Sequence, residues 1–114
     1  MTQGDIYGYT FKAPDKRRPV LILTRNSAIS FLTALTVAPI TTTIRGIPTE
    51  VVLTPDDGVR TTCAVNLDNI QTVPKTNLRG FITHLSVERM REVRAAIAFA
   101  LGFDALVPDF ETSQ

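Results

Sequence analysis

Up to about residue 74 the chain is broken into apolar runs too short for helices, each closed by turn residues. Ile6–Phe11, Val20–Thr24, Glu50–Leu53, Thr61–Leu67 and Ile70–Val73 are rich in β-branched and aromatic residues, the composition of strands. Between them lie the loop Lys12–Arg18, the turn Arg25–Ser27, the polar loop Thr41–Pro48 and the turn Thr54–Gly58. A further apolar segment, Phe31–Ile40, does not alternate cleanly, and Pro39 within it demands an edge, a bulge or a strand end. Short strands at close spacing with no helix between them predict a small antiparallel barrel of six to seven strands.

One helix is expected, over Val87–Leu101. Ser86 is placed as its N-cap, Glu88 falls in the first turn where a carboxylate favours the dipole, and Gly102 is placed to end it. Leu85 and Met90 have the spacing of a hydrophobic staple. Val87, Met90, Val93, Ile97 and Leu101 form one apolar stripe, so the helix is expected to lie on the barrel as a lid. The fold class is therefore mainly β with a C-terminal helix. Residues 1–104 read as a single domain and 105–114 as a loosely held tail.

Composition removes several kinds of chemistry. At 44% hydrophobic and 20% charged, 114 residues suffice for one core without disulfides or metal. The single cysteine, Cys63, has no internal partner and sits beside Ala64 and Val65, which marks a buried small hydrophobe and suits a reducing cytoplasm. The one histidine, His84, stands just before the helix cap, where a structural role is expected. Asp56-Asp57 reads as turn chemistry, so neither a metal site nor a cofactor is expected. No run reaches the ~18 apolar residues of a membrane span, and Met1–Asp5 lacks the basic and apolar character of a signal peptide. A net charge of +1 leaves nucleic-acid binding to local patches.

The richest of those patches is Lys12, Lys16, Arg17 and Arg18, ending at a proline that opens an apolar strand. Proline fixes its own φ and pushes the residue before it into extended geometry, so Arg18 is held against a rigid base. Thr41-Thr42-Thr43 closes another apolar segment. If those two ends meet, a guanidinium and hydroxyls make a set that holds phosphate oxygens. Read by themselves, the same residues also describe a wet loop and a polar turn.

Gly4-Asp5-Ile6-Tyr7, Arg18-Pro19-Val20-Leu21-Ile22-Leu23 with Asn26, Ala38-Pro39-Ile40-Thr41, Asn69-Ile70-Gln71-Thr72-Val73 and Ile82-Thr83-His84-Leu85 occur in one order and spacing. In this the chain resembles the MazF/PemK toxin endoribonucleases over about residues 4–103. The resemblance implies an SH3-like barrel of MazF/CcdB type, a homodimer, a MazE-like antitoxin as partner, and metal-independent cleavage of single-stranded RNA at a specific sequence. It places the catalytic arginine at Arg18 and the catalytic threonine at Thr41. Attack by the 2′-OH would leave a 2′,3′-cyclic phosphate and a 5′-OH end. Lys12, Lys16, Arg17 and Arg45 are candidate backbone contacts, Asn26 and Asn66 candidate polar contacts, and Thr42 and Thr43 candidates beside Thr41. Family members often carry a longer Gly- and Ser-containing loop with an acidic residue before the arginine, whereas this chain has the brief, basic Lys12–Arg17. That departure bears on the sequence cleaved. Two other readings remain: a CcdB-like gyrase inhibitor, which needs no Arg-plus-Thr site, and a non-catalytic SH3-like binding module. The latter usually shows an aromatic groove, and this chain has six Phe, two Tyr and no Trp.

Overall fold

Val20, Leu21 and Ile22 are all fully buried, yet neighbouring residues of a strand point to opposite faces. Their strand must therefore be covered on both sides. The computed structural model, which describes residues 1–11 and 16–105, shows how. Seven strands, β1 (Asp5–Phe11), β2 (Lys16–Ile22), β3 (Ala34–Thr41), β4 (Glu50–Leu53), β5 (Cys63–Asn66), β6 (Gln71–Pro74) and β7 (Leu78–His84), pair antiparallel. Among the described residues two α-helices, α1 (Asn26–Ile29) and α2 (Val87–Leu101), complete the regular structure with short 3₁₀ turns. The sheet runs β4-β5-β3-β2-β1-β7, and β6 adds to β3. β4 and β7 end that path instead of pairing with each other, so the expected barrel is curled but not closed by hydrogen bonds.

Two apolar clusters occupy the two faces. Leu21, Ala38 and Ile40 join Ile6, Val51, Leu53 and Val65 on one face, where Met90, Val93, Ala96 and Ile97 of α2 pack against them. Val20, Ile22, Leu35 and Val37 face the other way, with Ile29, Val73 and Leu78 and the rings of Tyr7, Tyr9 and Phe11. A strand buried on both faces reads as a continuous apolar run, which is the character of Val20–Ile22. Pro39 lies inside β3, not at its end. It falls between Val37, the last residue paired to β6, and Ile40, the first paired to β5, so the missing N–H sits where the strand changes partners.

Several boundaries move. Phe31 and Leu32 lie outside β3 and are exposed, and the expected turn after β2 coils into α1. The strand expected over Thr61–Leu67 is confined to Cys63–Asn66, followed by a 3₁₀ turn over Leu67–Asn69. β7 has no alternation to announce it: only Leu78 is buried, Gly80 carries φ 81°, and its ladder with β1 is irregular. Pairing to β1 creates the strand where pattern does not. α2 has the expected ends, with the Ser86 hydroxyl accepting the Arg89 N–H and Gly102 left-handed at φ 80°. Its apolar stripe is shorter than expected, because Val87 and Leu101 are 64% and 55% exposed while Ala96 takes a core place. Among the described residues no helix is long and apolar enough to cross a membrane. Lys12–Asp15 and residues 106–114, most of the expected tail, lie outside the described residues.

Candidate active site

The β2–β3 ladder pairs Ile22 with Val37, Leu21 with Ala38 and Val20 with Pro39. Continued two residues in the same register, that ladder would set Arg18 against Thr41. The ladder stops short of them because β3 turns there to β5, pairing Ile40 with Val65 and Thr41 with Ala64. On its other side Arg18 faces Tyr9 of β1. The sequence therefore puts a half-buried guanidinium and a half-buried hydroxyl where one sheet opens between two partners.

Two cavities meet at this point, and Arg18, Ile40 and Thr41 line both. The first, about 270 Å³, is otherwise lined by Phe11, Thr43, Arg45, Glu50, Asn66, Asn69 and Gln71, with Pro39. Amide, hydroxyl and charged side chains dominate it. The second, about 460 Å³, has an apolar bed of Pro19, Val59, Cys63 and Ile82 under Arg17, Arg60, Thr42 and Thr61.

The polar cavity is held in shape by its own hydrogen bonds. The Thr41 hydroxyl accepts the Thr43 N–H at 3.0 Å, and Glu50 Oε1 accepts the N–H groups of Arg45 and Gly46 at 2.9 and 3.2 Å. Glu50 thus fastens the loop that carries Thr43 and Arg45. Asn66 Oδ1 accepts the Asp68 N–H at 2.9 Å, which turns the amide nitrogen of Asn66 away from that bond and leaves it as the donor end. Phe11 packs edge-on to Tyr9, with ring centroids 4.8 Å apart.

Arg18, Thr41, Thr43, Arg45 and Asn66 are therefore brought together, with Arg17 and Thr42 in the adjoining cavity. Asn26 is not: it starts α1 beyond the far end of β2, and its Oδ1 accepts the Gln3 N–H at 2.7 Å. Lys12 lies outside the described residues, and of Lys16 only the backbone is described. Sequence reasoning passed over Phe11, Glu50, Asn69, Gln71, Arg60 and Thr61. The signal for Asn69 and Gln71 was present, since they flank Ile70 in a segment already singled out. Nothing in the sequence marks Arg60 or Thr61.

Of two further titratable groups, His84 lines neither cavity and Cys63 lies in the bed of the apolar one. His84 Nδ1 is 2.7 Å from Asp5 Oδ1. Burial alone would push the Asp5 carboxyl up, but hydrogen bonds from His84 and from the Thr2 N–H and hydroxyl outweigh it and hold it below its usual 3.8. An ionised carboxylate only accepts, so Nδ1 carries the hydrogen. His84 is thus engaged by Asp5 and lines neither cavity. Cys63 is buried, and burial, reinforced by the charge of Asp57, raises its thiol above 9.0, which suits a core residue and not a nucleophile. Among the described residues no three His, Cys, Asp or Glu side chains come together, and Glu50 is the one carboxylate lining either cavity. The exposed phenylalanines are Phe31 after α1, Phe81 in β7, and Phe99 and Phe103 at and just past the end of α2.

Known proteins share this fold and much of this sequence. The chain is 43% identical over 93 residues to endoribonuclease MazF3 of Mycobacterium tuberculosis, covering 82% of this chain and 90% of that protein. The structure of the Mycobacterium tuberculosis toxin MazF-mt6 superposes with a TM-score of 0.81 at 40% identity, over 88% of this chain and 98% of that one. A mycobacterial endoribonuclease in complex with its cognate antitoxin gives a TM-score of 0.81 at 29% identity, over 95% and 99% of the two chains. Residues 2–101 match the family of PemK-like, MazF-like toxins of type II toxin–antitoxin systems, and the chain belongs to that family.

Proposed function

We propose that the chain is an endoribonuclease that cuts single-stranded RNA at a specific sequence, without a metal ion, with Arg18 and Thr41 as its catalytic residues. The observation that carries this reading is the meeting of Arg18 and Thr41 at the junction of two cavities, one polar and one apolar. A strand of RNA laid across both cavities puts one phosphodiester at that junction. In RNA the neighbouring 2′-OH supplies the nucleophile, so the protein needs to position the strand and stabilise charge on phosphorus. The 2′-oxygen bonds to phosphorus as it gives its proton to water, the bond to O5′ breaks, and O5′ takes up a proton from water. The products are a 2′,3′-cyclic phosphate and a 5′-OH end.

A guanidinium does not give up its proton in a protein, so Arg18 serves as a donor to the phosphate oxygens that gain charge. Thr41 donates from its hydroxyl to a non-bridging oxygen. In the polar cavity Asn66, Asn69 and Gln71 present amide donors and acceptors to the edge of a base, Phe11 offers a stacking face, and Thr43 and Arg45 contact backbone. As a family toxin the chain has a cognate antitoxin, MazE-like in this reading, which silences it by covering both cavities, and the toxin acts as a homodimer. The gyrase-inhibitor alternative assigns no task to Arg18 and Thr41.

Incubation with a long unstructured RNA and its DNA equivalent in EDTA, with primer extension to locate ends, tests this. Cuts at one short motif in RNA only, lost in Arg18→Ala, are expected. Full cleavage by Arg18→Ala would sink the assignment, and cleavage of DNA would remove the role of the 2′-OH.

A further inference from the structure

Arg17 has the look of a surface cation, yet the fold makes a seat for it. Its ladder partner on β1 is Thr10, but its side chain runs past Gly8 to β7, where Nη2 donates to the Arg79 carbonyl at 2.7 Å. A Cβ on Gly8 would stand 2.6 Å from Arg17 Cζ, and one on Gly80 would stand 2.9 Å from Nη2. Gly8 has no left-handed φ that would demand glycine. An added Cβ there would push aside the end of the Arg17 side chain, which can shift, and would press on the Arg79 carbonyl at 3.0 Å. Glycine within a strand weakens it, and an exposed side-chain hydrogen bond returns little to folding. A seat of this kind makes physical sense when the position of the charge matters.

The seated guanidinium lines the apolar cavity beside Arg18, above Pro19, Val59 and Ile82. Resting on the reading above, we propose that Arg17 is a positioning residue that grips the RNA phosphate next to the scissile one, on the Cys63 side of Arg18. The Arg79 carbonyl takes one of its five N–H donors, and the planar fork keeps others for a phosphate. The apolar bed beneath accepts the flanking nucleotide by packing and without hydrogen-bond readout. This end of the substrate is held by charge and shape, and the sequence is read in the polar cavity.

Steady-state cleavage of a short fluorogenic RNA carrying the motif cut by the wild-type protein, repeated across a salt series, tests the proposal. Arg17→Ala is expected to raise KM roughly tenfold with kcat nearly unchanged, the pattern of binding weakened equally in the ground and transition states. The slope of log KM against log salt should become shallower by about 0.7, the value for removing one phosphate neutralisation on a single strand. Gly8→Ala, which keeps the charge but crowds its seat, should raise KM in the same direction at an unchanged melting temperature. Arg91→Ala, an exposed cation on α2 outside both cavities, should change neither KM nor slope. Unaltered KM and salt slope in Arg17→Ala and Gly8→Ala, with a lowered melting temperature, would make Arg17 a strap between strands and overturn the proposal. Failure of the wild-type protein to cut any RNA would instead overturn the reading on which it rests.

Discussion

The Thr41 hydroxyl accepts the Thr43 N–H at 3.0 Å, and that bond decides what Thr41 can offer a substrate. With a lone pair engaged by the backbone, the hydroxyl hydrogen is left to donate. Thr41→Val keeps the shape of the β3 end and removes the donor, so cleavage should slow by roughly tenfold, the loss of one hydrogen bond. Thr41→Ser should recover most of the rate. Arg18→Ala removes the charge-assisted donors and should cost roughly 10²- to 10³-fold in kcat. Arg18→Lys should restore little, because an ammonium lacks the planar fork. Single-turnover cleavage of one RNA oligomer measures all four variants, and a full rate for Thr41→Val would remove Thr41 from the chemistry.

Asn69 and Gln71 stand on either side of half-buried Ile70 and both line the polar cavity. Their amides are suited to reading a base edge, so changing them should alter which RNA is cut and not whether RNA is cut. Asn69→Asp and Gln71→Glu, which replace amide donors with acceptors, are expected to shift the preferred base at one position beside the cut. End-mapping on a randomised RNA pool would show the shift. A uniform fall across all sequences would assign both residues to backbone contact or to structure.

Much of this was legible in the chain. The apolar run after Arg18-Pro19 announced a strand, and the structure buries Val20, Leu21 and Ile22 within it. Ser86 and Gly102 fixed α2 because capping is local chemistry. β7 was not legible, because Arg79, Gly80, Phe81 and Ile82 are exposed and only the pairing with β1 makes them a strand. The same limit hid half of the site. Asn69, Gln71 and Glu50 join Arg18 through the change of partners along β3, a tertiary event that leaves no periodicity. Asn26 misled for the opposite reason: it belongs to a segment that resembles the family, but its task is to bind the Gln3 N–H at the other end of β2.

The His84–Asp5 pair offers a check on which histidine chemistry is absent. His84 lines neither cavity, so His84→Ala should leave the cleavage rate of folded protein unchanged. It should lower stability by about 1 kcal/mol at neutral pH, a modest figure because the imidazole is largely exposed. A rate loss beyond the effect on folding, measured well below the melting temperature, would return His84 to the mechanism.

Arg89 ties α2 to the turn after β4, its Nε donating to Asp57 Oδ1 at 3.0 Å with both side chains mostly buried. That hydrogen bond leads the causes holding the Asp57 carboxyl below its usual 3.8, with the Thr54 N–H helping against the cost of burial. A second hydrogen bond, from Nη1 to Glu92 at 3.0 Å, keeps the guanidinium aimed along the helix. Because the folded value lies below the unfolded one, the pair stabilises the fold in full above pH 3.8 and loses its effect as pH falls through the depressed value. Arg89→Ala should therefore cost about 1.5–3 kcal/mol at pH 7, the range for a hydrogen bond to a charged group. The difference from wild type should shrink steadily below pH 4 as Asp57 takes up its proton. Urea unfolding of both proteins from pH 7 to pH 3 measures it. A gap that stays constant over that range would mean the arginine acts through the packing of its stem and not through its charge.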